Sequence, residues 1–146
     1  EGVEAHYCAA LGIAQYSLSV GILKALTEGV EGAFNRHLDF SLQKSPSLKH
    51  GSPLLVKGRY FSELPWPKRN LDKSAEYYRQ VMERHPENLR VYLFSADTQL
   101  KTGHPQTAKA LVAKALSGSV DYDPPEGRRV QALARKLSAD IEKALK

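Results

Sequence analysis

Apolar residues return every three or four positions from the start of the chain. Val3, Tyr7, Leu11, Ala14, Leu18, Ile22 and Leu26 share one helical face, which predicts a first helix unbroken over 3–26. Thr27 offers a cap for a second helix whose face carries Val30, Phe34, Leu38 and Leu42, and Pro46 closes it. Ser52-Pro53 reads as an N-cap followed by proline in the first helical position. The third helix then runs from Leu54 to about Glu63 and stops before Pro65. Pro65-Trp66-Pro67-Lys68-Arg69-Asn70 is a loop, because neither proline suits a helix interior. Asn70 caps a fourth helix that reaches His85 with Leu71, Ala75, Tyr78, Val81 and Met82 inward. A fifth helix covers Leu89 to Lys101, with Gly103 just past its end, and a sixth runs from Pro105 to about Leu116. Residues 118–125 form a turn with two prolines. A last helix, Glu126 to Ala144, turns Val130, Leu133, Leu137, Ile141 and Leu145 inward. No stretch alternates with period two for long enough to make a strand. The pattern predicts an all-α chain, a single domain over 1–146, in which short loops make neighbouring helices antiparallel.

The helices repeat. Ser74, Tyr78 and Val81 return 34 residues later as Ala108, Val112 and Ala115. An offset of 40 links Phe34, Leu38 and Ser41 to the same Ser74, Tyr78 and Val81, and Pro46 to Pro86. The excess of six equals the length of the loop from Pro65 to Asn70, so one insertion in the middle hairpin restores the beat. Small residues on paired helices, a large residue in the second helix and a proline after it resemble the tetratricopeptide repeat. The middle unit carries Ser74, Tyr78 and Pro86, and the last carries Tyr92, Ala96, Gly103, Ala108 and Ala115. The resemblance implies a TPR-like stack of about three antiparallel helical hairpins with a C-terminal capping helix. The end helices of such an array are uncovered, which makes self-association into a homo-oligomer an expectation.

A second set of segments falls in a recognisable order. Cys8-Ala9-Ala10-Leu11-Gly12, Gly21-Ile22-Leu23-Lys24-Ala25-Leu26, Gly51-Ser52-Pro53, Leu64-Pro65 and Asn70-Leu71-Asp72-Lys73 resemble the T-component family of tripartite ATP-independent periplasmic (TRAP) transporters. The likeness covers roughly Glu4 to Lys101. Where that family has a glycine-rich turn before the fourth helix, this chain has Lys68-Arg69-Asn70. The resemblance implies a periplasmic protein, lipid-anchored at an upstream cysteine, that binds the transporter's substrate-binding subunit and helps deliver a small hydrophobic ligand. A cytoplasmic location is the alternative. Members of the family are trimeric TPR-like proteins. The abrupt start of the helical rhythm at Val3, with no cap before it, predicts that further residues precede this chain.

Composition narrows the chemistry. The chain is 42% hydrophobic and 25% charged, with a net charge of +5. No run of eighteen apolar residues suggests a membrane-spanning helix. Lys68-Arg69 and Arg128-Arg129 fall short of a nucleic-acid patch, so nucleic acid is not an expected partner. One cysteine excludes a disulfide framework, and Cys8 reads as a small buried hydrophobe rather than a lipid anchor. The histidines His6, His37, His50, His85 and His104 show no metal-ligand spacing, and His37 reads as a hydrogen-bonded boundary residue. Asp121 and Asp123 read as turn residues. No phosphate-binding glycine loop occurs, and no cofactor, metal or catalytic residue is assigned. The expectation is a binding protein and not an enzyme.

Candidate binding residues follow from the array. First helices of successive hairpins line the concave face. On the fifth helix those positions are Arg90, Asp97 and Lys101; on the first they are His6, Ile13 and Tyr16. Such a face suits a peptide or protein partner. The loop adds Trp66, the only tryptophan, with Arg69 beside it. Trp66 has two readings, a docking knob or a plug folded back over the hairpin core, and the plug is preferred. Tyr60, Phe61, Tyr77 and Tyr78 either line a ligand cavity or are plain core.

Overall fold

The computed structural model describes residues 2–146. Among them are eight helices and no strand: α1 (Val3–Val20), α2 (Ile22–Thr27), α3 (Glu31–Lys44), α4 (Leu48–Glu63), α5 (Leu71–Arg84), α6 (Leu89–Lys101), α7 (Pro105–Ser117) and α8 (Pro124–Ala144). The all-α expectation holds. The chain divides into two compact units, one up to Tyr77 and one from Tyr78 to Lys146.

In the first unit α1 packs against α3, and α3 against α4. Ala10, Phe34 and Leu38 form its buried centre, and Ile13, Ala14, Leu42, Val56 and Tyr60 pack around them. The expected unbroken first helix is two helices. Gly21 adopts φ +97, which only glycine takes without strain, and the chain bends there. Leu18 is 60% exposed, so the apolar stripe is interrupted just before the bend, while Ile22 and Leu26 beyond it are half-buried. Thr27 ends α2 instead of capping the next helix, which begins at Glu31. Cys8 is exposed, not buried, because Tyr7 and Ala10 take the inward face of α1.

Regular α4 geometry begins after Lys49, His50 and Gly51, which all have positive φ. This agrees with a helix opening at Ser52-Pro53. Asn70 caps α5, its side-chain oxygen accepting from the Lys73 amide at 3.0 Å. On α5 the buried residues are Ser74, Tyr78 and Val81, while Ala75 is exposed. The repeat register thus places this helix better than its apolar content does.

The second unit is α6 paired with α7, with α8 packed on both. Asn88 caps α6, and Gly103 follows it at φ +84. Asp123 caps α8, whose first residue is Pro124, so this helix starts two residues before the sequence suggested. Gly127, Val130, Ala134 and Ile141 face inward, whereas Leu133 is 39% exposed. Gln131 on α8 donates to the Ala115, Leu116 and Gly118 carbonyls at 3.3, 3.2 and 3.0 Å. It thereby satisfies the open C-terminus of α7.

The three repeat triplets share one environment. Phe34, Leu38 and Ser41, then Ser74, Tyr78 and Val81, then Ala108, Val112 and Ala115 are all buried. No helix among the described residues is long and apolar enough to cross a membrane.

Candidate functional site

On α1, His6 and His37 of α3 share a hydrogen bond, Nδ1 to Nδ1, at 2.9 Å. The His6 ring also rests on Phe40, with centroids 4.1 Å apart. His37 is a bonded boundary residue, as read. Tyr16 is exposed and donates to Glu28 at 2.5 Å, a bond that holds its phenol above the usual tyrosine range. His6 and Tyr16 therefore have partners inside the first unit, and the third α1 candidate, Ile13, packs against the core instead of lining an open face.

On α6, Arg90 pairs with Glu126 in the first turn of α8 and so ties the two helices. A carboxylate there also complements the helix dipole. Asp97 and Lys101 pair along α6 at 2.8 Å. The spacing of 90, 97 and 101 puts all three on one side of the helix, as expected. All three are engaged before any partner arrives, Arg90 with α8 and Asp97 and Lys101 with each other.

Trp66 contradicts the plug reading: it is 86% exposed. Its loop is nevertheless braced. The Lys68 and Arg69 amides donate to the Pro65 carbonyl at 2.9 and 3.2 Å. The Asn70 amide donates to Phe61 at 3.1 Å, and Arg69 Nε donates to the Leu64 carbonyl at 3.2 Å. Lys68 Nζ reaches Glu31 on α3 at 2.6 Å. These bonds use the chain's own groups to fix the spur with the indole in water.

Behind the spur lies a cluster that the sequence reading missed. Lys57 on α4 is only 8% exposed. Its ammonium donates to Asp39 at 2.7 Å and Asn35 at 2.9 Å, both on α3, and lies 5.3 Å from the Tyr60 ring centroid. A buried ammonium needs such partners, since desolvation without them is costly. Tyr60 donates to Glu31 at 2.5 Å and accepts from Asn35 at 3.2 Å. Burial, then the bond to Glu31, pushes the Tyr60 phenol up to about 12. The hydrogen bonds from Lys68 and Tyr60 hold Glu31 below the usual carboxylate range. Phe34, Tyr60, Phe61 and Tyr77 then pack in a row, with successive centroids 5.4, 5.0 and 6.0 Å apart. Tyr60, Phe61 and Tyr77 are thus packed on one another.

A signal for Lys57 existed. The first helix of a tetratricopeptide repeat reads Trp-x-x-Leu-Gly-x-x-Tyr, and Leu54-x-x-Lys57-Gly58-x-x-Phe61 follows it with lysine in the leucine position.

With this geometry in hand, similarity adds one finding. A tetratricopeptide-repeat family model matches residues 68–137, which run from the spur through α5, α6 and α7 into α8. No curated protein matches the chain.

Proposed function

We propose that this protein is a non-enzymatic helical-repeat scaffold that binds a protein partner. In the finer reading it works in the periplasm, lipid-anchored, as a component associated with a TRAP transporter. Its partner there is the substrate-binding subunit, and a small hydrophobic ligand passes between them. The observation that supports the scaffold reading best is the common burial of the nine repeat positions on α3, α5 and α7. A regular stack of helix pairs exposes extended faces that suit macromolecular partners. The repeat match over 68–137 points the same way. The transporter assignment is supported by the ordered segments between Glu4 and Lys101.

Calorimetric titration against a substrate-binding subunit encoded beside this chain tests the finer reading. Saturable heat and a complex on gel filtration are expected. No heat and no complex at high concentration would remove the transporter assignment. The alternative is a general adaptor that clamps peptides with α6, favoured by the common face of Arg90, Asp97 and Lys101. Lys101→Glu separates the two, because Lys101 is exposed and the substitution spares the Arg90 to Glu126 tie. It weakens binding to a peptide clamp and leaves transporter-subunit binding unchanged.

A further inference from the structure

Building on the scaffold reading, we propose that the spur at Trp66 docks into an apolar slot rimmed by carboxylates on a protein partner. Three observations lead there. The indole is 86% exposed, although a buried tryptophan side chain removes on the order of 200 Å² from water. The backbone beneath it is fixed by Pro65, Pro67 and the hydrogen bonds from Lys68, Arg69 and Asn70, so little chain entropy is lost on docking. The charge around it is net positive: Lys68, Arg69 and Lys73 against Asp72 within residues 65–73.

The cations differ in availability. Lys68 is joined to Glu31, and the Lys73 ammonium lies 5.2 Å from the centroid of Phe61. Arg69 is exposed, and among the described residues only its Nε is engaged, by the Leu64 carbonyl. Its terminal guanidinium nitrogens can therefore form a paired contact with a partner carboxylate. Leu71, 36% exposed, extends the apolar contact next to the spur. Tryptophan and arginine together are the residues most enriched in interface hot spots. A stiff Pro-Trp-Pro knob fits a preformed pocket, whereas an anionic membrane surface selects broad amphipathic helices with several apolar anchors.

The test is site-specific photocrosslinking in the cells the chain comes from, using the whole protein. One variant carries p-benzoylphenylalanine at position 66 and a second carries it at position 101 on α6. The expected result is one captured protein at position 66, with the crosslinked peptide lining an apolar slot bordered by Asp or Glu. Trp66→Ala then weakens the purified complex about 30-fold, the loss of one hot spot. Arg69→Glu weakens it about tenfold or more, and the loss grows at low salt. Neither side chain is buried, so circular dichroism of both variants should match the parent. Crosslinks to lipid, or to a neutral or basic protein surface, would overturn the proposal. Capture at 101 without capture at 66 would overturn it while leaving the scaffold reading intact. No capture at either position would remove both.

Discussion

Lys57 offers a sharp test, because its partner is wet and it is not. The ammonium sits 2.7 Å from Asp39, whose side chain is 58% exposed, while the Lys57 side chain is 10% exposed. Removing the carboxylate strands a desolvated cation; removing the cation returns a carboxylate to water. The two substitutions should therefore differ in cost. Screening at Asp39 reduces the pair from the 3–5 kcal/mol of a buried bridge to about 1–2 kcal/mol. Asp39→Asn should then destabilise by about 1–2 kcal/mol, since the groups left to hold the ammonium, the Asn35 amide and the Tyr60 ring among them, are neutral. Lys57→Met keeps an unbranched apolar side chain at this buried position and sheds the desolvation cost, so its change should stay within about 1 kcal/mol. Urea unfolding followed by far-ultraviolet circular dichroism is the assay. Tryptophan emission is a poor probe here, because the single indole is already in water. If Lys57→Met costs more than Asp39→Asn, the reasoning from solvent access is wrong.

The remaining predictions concern packing and pH. Ser74 is 1% exposed and its hydroxyl has no hydrogen-bond partner among the described residues, so Ser74→Ala should raise stability by about 1 kcal/mol in the same urea assay. A loss of stability would show that the hydroxyl is bonded. A Cβ on Gly127 would meet Val120 atoms at 2.7, 2.8 and 2.9 Å, one of them backbone, so Gly127→Ala should lower stability by about 1–3 kcal/mol. Gly12 has nothing within 4 Å of the same position, so Gly12→Ala should raise it by about 0.5–1 kcal/mol. Equal effects of the two substitutions would refute the contact geometry. The Tyr60 phenol is raised in the folded state, so its contribution to stability is complete below pH 10 and is lost as pH rises through about 12. Glu31 is lowered, and its contribution is lost as pH falls through its depressed value. Phenolate absorbance of Tyr60→Phe should lack the highest-pH component of the folded parent. A parent titration complete near pH ~10.5 would contradict this.

Sequence periodicity located the hairpins well and their boundaries less well. The repeat register identified Ser74, Tyr78 and Val81 as buried, and all three are. The apolar count alone chose Ala75, which is exposed. Alanine is small enough to sit on either side of a helix, so its presence says little about facing. Gly21 was hidden because the apolar spacing continues through it from Leu18 to Ile22. Only its positive φ separates two helices there. Trp66 was read as a lid because a large aromatic normally seeks burial. The loop that carries it is tied to Glu31, 37 residues away, and no local pattern carries that contact. The Lys57 cluster was missed for a related reason. Asn35 and Asp39 lie on α3 and Lys57 on α4, and a lone lysine in a helix reads as a solvated side chain. On α6 the common face of Arg90, Asp97 and Lys101 follows from their spacing, but the pairing of Arg90 with Glu126 joins positions 36 residues apart.

The shared burial of the repeat positions is tested most directly by the thermal stability of leucine at matched repeat positions. Ser74→Leu and Ala108→Leu force a large side chain into sites that are 1% and 0% exposed, 34 residues apart. Each should destabilise by about 1–3 kcal/mol, a clear drop in Tm. Their exposed neighbours, changed by Ala75→Leu and Ala110→Leu, should stay within about 0.5 kcal/mol of the parent. Leucine accepted at either Ser74 or Ala108 as readily as at its neighbour would contradict the repeat.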